Sequence, residues 1–511
     1  MPEGFMRKFL FIAMLRLAGS IGASESDSLT PRLDALDGKF DGLNESYLET
    51  KSTVDKLSRI KVSGYIQTQW QLADSAGVPS MAGGNFSFGK LNWFGNDNAL
   101  PRTSDSLFDT LSTRQRFMIR RARIKTTYET NTSKYVLEFD VLPTGLSIKD
   151  ANVTLMEPWL KTFSATMGIM DRPFGFEVPY SSSSLETPER TRMAQVVFPG
   201  EKDLGAKIEI NPNENMGVLQ YLNLKAGLFT GMGGNNPSFN EVDNHLDFIG
   251  RASFHVPFYD QGLELDGGVS TYAGTVQDRS DLAIYTKPIP KWVAIDGDSV
   301  QVKNSLVVTI GNKDKLFDRR LYGIDAQAYY DVPVIGGASL RGEYVWGRMP
   351  GTLTSNSPYY VTGNATLNPL NPVDVLERKV EGWYVMFVQN MGKLLQAVVR
   401  YDVFDPNTDA SGSDIIAVRV PEEEASASQG NLTHLQTLAD LKYSTFGVGL
   451  NYFWDSNLRL SLYYDMVTNE NVNSRNADTL ITLSNLAMNP LSHYRKDLKD
   501  NVLTFRAQIK F

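Results

Sequence analysis

Along most of this chain apolar and polar residues alternate one by one. The last eleven residues read NVLTFRAQIKF. Leu503, Phe505, Ala507, Ile509 and Phe511 fall on one side; Val502, Thr504, Arg506, Gln508 and Lys510 fall on the other. A period of two is strand geometry, with one apolar and one polar face. In a soluble sandwich the apolar face of a terminal strand is buried in a core. In an outer-membrane barrel the same face meets lipid and the strand closes the cylinder. From Lys61 onward the pattern recurs. KVSGYIQTQWQL sets Val62, Gly64, Ile66, Thr68, Trp70 and Leu72 against Lys61, Ser63, Tyr65, Gln67, Gln69 and Gln71. SKYVLEFDVL sets Tyr135, Leu137, Phe139 and Val141 against Lys134, Val136, Glu138 and Asp140, and KTFSATMGIM puts Phe163, Ala165, Met167 and Ile169 on one face. Similar runs near 115–128, 149–157, 204–210, 218–229, 246–256, 263–273, 321–331, 337–348, 379–389, 393–404, 442–453 and 458–467 bring the expectation to about sixteen antiparallel strands.

The spacing between runs decides what the strands build. Short turns such as VQNMGKLL and YFWDSNLRL join some pairs, while long polar stretches at 73–113, 173–203, 274–320, 349–378 and 405–440 separate others. A soluble all-β chain of this length should break into domains or blade-like repeats, and long structureless loops are uncommon in compact domains. Short turns at one end and long loops at the other are the layout of outer-membrane barrels. The fold class expected is all-β: a transmembrane β-barrel of about 16 strands over residues 60–511, with Phe511 and Phe505 on the lipid face of the closing strand.

The first sixty residues follow other rules. From Met6, MRKFLFIAMLRLAGSIGASES carries two cations, an apolar run and then small residues, the layout of a secretory signal over 1–23. Leu29, Leu33, Leu36, Phe40, Leu43, Tyr47, Thr50, Val54 and Leu57 then step alternately by four and three. Those are the seam positions of a short coiled coil. A single helix of this length is marginal in water, so residues 24–59 read as a periplasmic oligomerisation stalk; a helix folded back on the chain's own surface is the alternative.

Composition narrows the classes further. Hydrophobic residues make up 42% of the 511, and no stretch beyond residue 22 approaches the ~20 apolar residues of a spanning helix. There is no cysteine, which excludes thiolate metal sites, a catalytic thiol and a disulfide scaffold. The formal charge of −8 argues against a nucleic-acid surface. His245, His255, His434 and His493 stand in four separate settings without a neighbouring motif. No enzyme, metal or cofactor site is therefore expected. TGMGG (230–234) lacks the Lys-Ser/Thr of a phosphate loop, and PEEE (421–424) reads as a solvated charge run rather than a Ca²⁺ site. A plugged receptor barrel would need a globular N-terminal domain, for which the heptad segment is too short.

Three stretches together resemble the phosphate-selective porin O/P family. They are RQRFMIRRARIKTTYE (114–129), MGIMDRPFGFEVPYSSSSLETPERTRMAQVVFPGEKDLGAKI (167–208) and GVGLNYFWDSNLRLSLYY (447–464). The resemblance implies a sixteen-stranded trimeric outer-membrane porin whose third loop, near 178–203, folds inward. It also implies a Gram-negative outer membrane as the location, with lipid, lipopolysaccharide and the barrel-assembly machinery as partners. The chain departs from the family's phosphate-selective members in having no R-x-R-x-R ladder in 274–320, Tyr65 in place of an arginine and Ser183 in place of a lysine.

A channel's chemistry is the charge and width of its constriction. A charge facing lipid at mid-membrane costs about 2–4 kcal/mol, so the 114–129 cluster should face water. Arg121 and Arg123 are the leading lumen candidates, with Arg120 at a rim or bulge; an extracellular patch for lipopolysaccharide phosphates is the alternative. Glu186, Glu189, Arg190 and Arg192 in the third loop would either set a transverse field or pin the loop to the wall. Asp150, Glu138, Asp140 and Arg251 fall inward by alternation. Leu33, Leu36, Phe40, Leu43, Val54 and Leu57 form the oligomerisation seam. The function expected is passive diffusion of small hydrophilic solutes and ions, anions among them. The alternatives are a phosphate-selective channel or a sugar or oligosaccharide channel with Tyr65, Trp292, Trp346 and Trp383 as a stacking track.

Overall fold

The structure is a computed structural model of the chain. It describes residues 39–40, 43–51, 54, 58–73, 115–143, 145–231, 244–278, 282–288, 290–295, 298–311, 314–351, 375–414, 433–434, 440–471, 497 and 501–511.

Sixteen strands form one closed antiparallel barrel. They are β1 (Ile60–Ala73), β2 (Gln115–Glu129), β3 (Ser133–Leu142), β4 (Gly145–Met156), β5 (Phe163–Asp171) and β6 (Lys202–Ile210). Next come β7 (Leu222–Phe229), β8 (Asp247–Phe258), β9 (Leu263–Gln277), β10 (Leu316–Val332) and β11 (Gly336–Gly351). The last five are β12 (Val375–Met391), β13 (Leu395–Asp405), β14 (Tyr443–Phe453), β15 (Leu458–Asn469) and β16 (Val502–Lys510). β1 and β16 close the cylinder, with Trp70 opposite Phe505 and Thr68 opposite Ala507. Gly64 and Phe511 exchange backbone hydrogen bonds of 2.9 and 3.0 Å at the seam's end. Closure leaves no unpaired sheet edge in the apolar layer, where every backbone N–H and C=O must be satisfied within the protein.

The barrel is polar inside and apolar outside. Gln67, Gln69, Gln71, Arg121, Arg400, Thr504, Arg506 and Gln508 are buried, while Ile66, Leu72, Val269, Leu340, Phe387, Leu462 and Phe505 are exposed on the outer wall. The alternation in the two terminal strands thus reads out directly as lumen and lipid faces. Outward aromatics lie at two levels, the placement favoured at membrane interfaces. Tyr322 lies against Trp346 (5.9 Å between centroids) and Trp383 against Tyr401 (5.5 Å) at one level. Tyr452 lies against Trp454 (6.1 Å) near the opposite end. No helix among the described residues is long and apolar enough to cross a membrane.

Connections sort by length. Segments 130–132, 157–162, 211–221, 259–262, 333–335, 392–394 and 454–457 lie at one end. At the other end the strands are joined across the two-residue interval 143–144 and the longer intervals 74–114, 172–201, 230–246, 278–315, 352–374, 406–442 and 470–501. The short-turn end is periplasmic in barrels of this kind. One long segment departs from the sequence reading. Within 274–320, expected to be a polar stretch, residues 282–287 pair with 305–310 and 291–295 pair with 298–302. The first hairpin also pairs in parallel with the start of β12, Ala283 opposite Val375. It covers a small apolar cluster of Val276, Ala283, Phe317 and Val375. Asp414 secures the same hairpin by accepting from the backbone N–H of Lys303 (2.8 Å) and from Asn304 Nδ2 (3.0 Å).

The residues up to Lys61 form a unit of their own. Residues 43–51 are helical, and Phe40, Leu43, Tyr47, Leu48 and Val54 are exposed. Leu33, Leu36 and Leu57 lie outside the described residues, as does the 1–23 segment.

Candidate functional site: a loop anchored inside the barrel

The segment between β5 and β6, residues 172–201, lies within the barrel as a two-faced layer. Pro173, Pro179, Pro188 and Pro199 punctuate it. Its one helical element is a short helix, α1 (Arg192–Val197), whose N-cap Thr191 Oγ1 accepts from the Ala194 N–H at 3.3 Å. Glu177 ties the two limbs together, accepting from Thr191 N–H (2.8 Å) and Thr191 Oγ1 (2.5 Å). One face is apolar. Phe174, Val178, Met193, Val196, Val197 and Phe198 pack in one cluster with Ile249, Tyr272, Leu321, Val345, Val380 and Tyr384 of the inner wall. The wall makes room: a Cβ on Gly382 would lie 2.7 Å from Met193 Cγ, and one on Gly323 3.0 Å from the Phe174 ring.

The other face is charged. Glu189 accepts from Arg120 Nε (2.6 Å), Arg121 NH2 (2.8 Å) and Arg506 NH2 (3.3 Å). Burial works against ionisation of Glu189, but Arg120, Arg121 and Arg506 outweigh it and hold the carboxyl well below the usual carboxylate range. Arg400 NH1 donates to Glu189 O (2.8 Å) and Thr187 Oγ1 (3.2 Å). Glu186 binds Arg341 NH2 (2.9 Å) and accepts from Tyr180 Oη (3.1 Å). Asn451 donates to Glu186 O, Arg459 to Leu185 O, Gln67 to Ser182 O and Gln508 to Ser183 O, all between 2.8 and 3.1 Å. Glu343 accepts from the backbone N–H of Phe176 and Glu177 at 3.2 and 2.9 Å. Side chains of β1, β2, β11, β13, β14, β15 and β16 therefore all grip this one segment.

The residues singled out from the sequence fall into three settings. Glu189 and Arg121 meet in the arginine cluster, and Glu186 sits in the anchor beside it. Arg190 pairs with Glu201, accepts no role toward the wall, and donates from Nε to Glu177 O (3.0 Å) within its own loop. Arg192 is buried, with its guanidinium 3.8 Å from the Tyr443 ring centroid. Arg123, Glu138, Asp140 and Asp150 form a ladder along the inner wall of β2–β6. Arg123 lies 3.5 Å from Glu138 and 3.4 Å from Asp140, Lys125 joins Glu138 (3.2 Å) to Asp150 (3.1 Å), and Lys202 joins Asp150 (2.9 Å) to Asp171 (2.8 Å). Arg251 stands apart, bidentate to Asp325 at 2.5 and 2.8 Å. The β2 alternation breaks between Arg120 and Arg121. Met118 touches Gln69 and Arg120 binds Glu189 on the same interior side as Arg121, whereas Phe117 packs outward on Trp70. The break turns two successive guanidiniums to the same side.

Several contributors were not singled out from the sequence: Arg506, Arg400, Arg341, Arg459, Glu201, Lys202 and Lys149. Lys149 is the extra residue of a bulge, where Glu138 pairs with Asp150 and Phe139 with Ile148. It lies within electrostatic reach of Arg123, Glu201 and Asp140. The stacking-track residues do not assemble. Trp346 and Trp383 are on the outer wall and Trp292 is exposed on the 291–302 hairpin, so of the four only Tyr65 faces the lumen.

A cavity lies between the loop and the inner wall of β1–β6. Its lining includes Tyr65, Arg123, Lys125, Glu138, Asp171, Tyr180, Arg190, Glu201, Lys202 and Lys510. The family model for phosphate-selective porin O and P matches residues 104–489. The chain belongs to that family. It is an outer-membrane porin, a water-filled channel for passive diffusion of small hydrophilic solutes. No curated protein matches the chain. Solved structures similar to it include Pseudomonas putida OprB at high pH, with 9% identity, TM-score 0.47, and coverage of 90% of this chain and 96% of that one. The outer-membrane channel DcaP of Acinetobacter baumannii has 12% identity and TM-score 0.43, covering 88% and 97%. Salmonella typhi OmpF in complex with daunomycin has 11% identity and TM-score 0.42, again covering 88% and 97%.

Proposed function

We propose that the porin is a general diffusion channel with a weak preference for anions, its constriction formed between the 172–201 loop and the β1–β6 wall. The observation that carries this is the charge of the cavity there. Five basic side chains (Arg123, Lys125, Arg190, Lys202, Lys510) and three acidic ones (Glu138, Asp171, Glu201) line it. Most of these charges are paired, so the field left over is small and ions pass without being held. Strong phosphate selectivity would need a run of unpaired arginines, and the arginines nearest the loop are committed to Glu189, Glu186 and backbone carbonyls. Three of the four aromatics a sugar track would use are outside the lumen, which disfavours that alternative.

The assembly we favour is a homotrimer joined through the outer face of β3–β7. At the extracellular level outward tyrosines and tryptophans sit on β1 and β10–β13, as Trp70, Tyr322, Trp346, Tyr344, Trp383 and Tyr401. The exposed outward positions on the other flank are Val141, Leu146, Ile148 and Leu228. An aromatic girdle suits lipid, and a plain aliphatic surface suits another subunit. The exposed Phe40, Leu43 and Val54 are consistent with a helical stalk joining the same subunits.

The test is the reversal potential of the purified protein in a planar bilayer under a KCl gradient, repeated with phosphate. A small anion-side potential without phosphate block is the expected result. A strong anion potential with block at low phosphate would establish a phosphate-selective channel instead.

A further inference from the structure

Strand pairing brings together three metal-ligating side chains that are separate in sequence. His255 of β8 stands directly opposite Asp266 of β9, and Glu264 lies two residues further along, opposite Pro257. His255 Nδ1 is 2.7 Å from Asp266 Oδ1 and 3.6 Å from Glu264 Oε1. One ligand atom from each residue lies within 4.8 Å of the other two. All three side chains share the inward parity of Arg251, Ser270 and Tyr272, close to the 259–262 turn at the periplasmic mouth. Glu264 also lines an inward cavity with Tyr329, Asp331 and Arg341.

The charge environment separates this trio from most interior carboxylates. Glu138, Asp140, Asp150, Asp171, Glu186, Glu189 and Asp325 each pair with a lysine or arginine. Among the described residues, Glu264 and Asp266 have only the imidazole of His255 as an ionic partner. The nearest arginine of that cavity, Arg341, is bound to Glu186 and stacks 5.4 Å from the Tyr329 centroid. Two carboxylates and one imidazole with no competing ammonium or guanidinium form a nitrogen–oxygen donor set.

We propose that His255, Glu264 and Asp266 bind a divalent transition-metal cation, Zn²⁺ or a near relative, at the periplasmic mouth of the lumen. Zinc takes imidazole nitrogen and carboxylate oxygen at roughly 2.0–2.2 Å, which sets ligand atoms about 3.4 Å apart in a tetrahedral shell. The 3.6 Å pair is already at that spacing, and the 2.7 Å pair needs only a small opening. The His255 side chain is 59% exposed, so water can complete the shell. An imidazole in the set favours Zn²⁺, Ni²⁺ or Cu²⁺ over Mg²⁺ and Ca²⁺, which select all-oxygen ligands.

The test is isothermal titration of ZnCl₂ into the purified full-length protein in detergent, with MgCl₂ in excess, which reads binding independently of conductance. One saturable site per chain is expected. It should weaken roughly tenfold or more in His255→Ala and in the near-isosteric Asp266→Asn, since removing a ligand costs at least as much as disturbing the groups behind one. His245→Ala should bind as the parent does. No saturable Zn²⁺ binding in the parent, or unchanged binding in both His255→Ala and Asp266→Asn, would overturn the proposal. Should either variant fail to fold, Glu264→Gln supplies the second reading on the same terms.

Discussion

Arg506, in the closing strand, reaches Glu189 at 3.3 Å across 317 residues of sequence. The contact joins the strand that completes the barrel to the loop that fills it. Glu189 is the common acceptor for three guanidiniums, two of which are almost wholly buried with it. Glu189→Gln keeps the shape and removes the compensating charge. Breaking a buried ion pair costs about 3–5 kcal/mol, and the 30% exposure of Arg120 places this one toward the lower bound. The expected outcome is a lower unfolding temperature by heat modifiability on gels, together with noisier single-channel currents. An unchanged trace and temperature would show that apolar packing alone holds the loop.

The same cluster sets the pH response. Arg120, Arg121 and Arg506 depress Glu189 despite its burial, and Arg190, Arg123 and Arg121 do the same for Glu201. A carboxyl depressed in the folded state contributes stability that is fully present above its ordinary value, roughly 4.3. That contribution is lost as pH falls through the lowered value. The hold of Glu189 and Glu201 on the loop should therefore stay level from about pH 8 to 5 and be lost only in strongly acid solution, whereas burial raises Glu177, which joins the loop's two limbs, above the ordinary carboxylate range. A step in conductance or current noise between about pH 6 and 5 would mean that other groups, Glu177 among them, hold the loop.

Gly382 tests the apolar face. Its missing side chain leaves room for Met193 of α1, so Gly382→Val should push the loop away from β12 toward the opposite wall. Overpacking of this kind costs about 1–3 kcal/mol. The single-channel conductance should fall as the constriction narrows. Gly337→Ala, where the nearest atom to a new Cβ is 3.5 Å away, is the control expected to change neither property. Equal conductance in Gly382→Val would separate the loop's position from this contact.

The wall of the barrel was legible in the sequence because lipid and lumen impose opposite polarity on successive residues. Ile66 against Gln67 and Phe505 against Arg506 are the pattern itself. Glycines that look like weak points in a strand also have a local reason. A Cβ on Gly449 would lie 2.2 Å from the Tyr463 ring, so that glycine seats the tyrosine of the next strand. The interior was less legible. Alternation says that Arg400, Arg459 and Arg506 face inward, but not that all three reach one loop more than two hundred residues earlier. Strict parity also fails locally: both Arg120 and Arg121 turn toward Glu189, and a bulge inserts Lys149 between paired residues. The His255, Glu264 and Asp266 grouping depends on cross-strand register, which a motif search along the chain does not read.

Lys149 gives the sharpest test of ion preference. Lys125 and Lys202 are each bound to two carboxylates, and Arg123 to Glu138 and Asp140. Among the described residues Lys149 has no ion pair, although it lies within electrostatic reach of Glu201 and Asp140 and beside Arg123 and Arg121. An unpaired ammonium contributes its whole charge to a passing ion, whereas a paired one contributes mainly a dipole. Lys149→Glu reverses that charge without removing an ion pair from the ladder. The zero-current potential under a KCl gradient should move toward the cation side, with heat modifiability unchanged. Lys149→Arg should keep the parental sign. A Lys125→Gln variant should move the potential less, because it removes a charge already balanced by Glu138 and Asp150. Equal shifts in Lys149→Glu and Lys125→Gln would mean that pairing does not screen these lysines and that selectivity follows total charge alone.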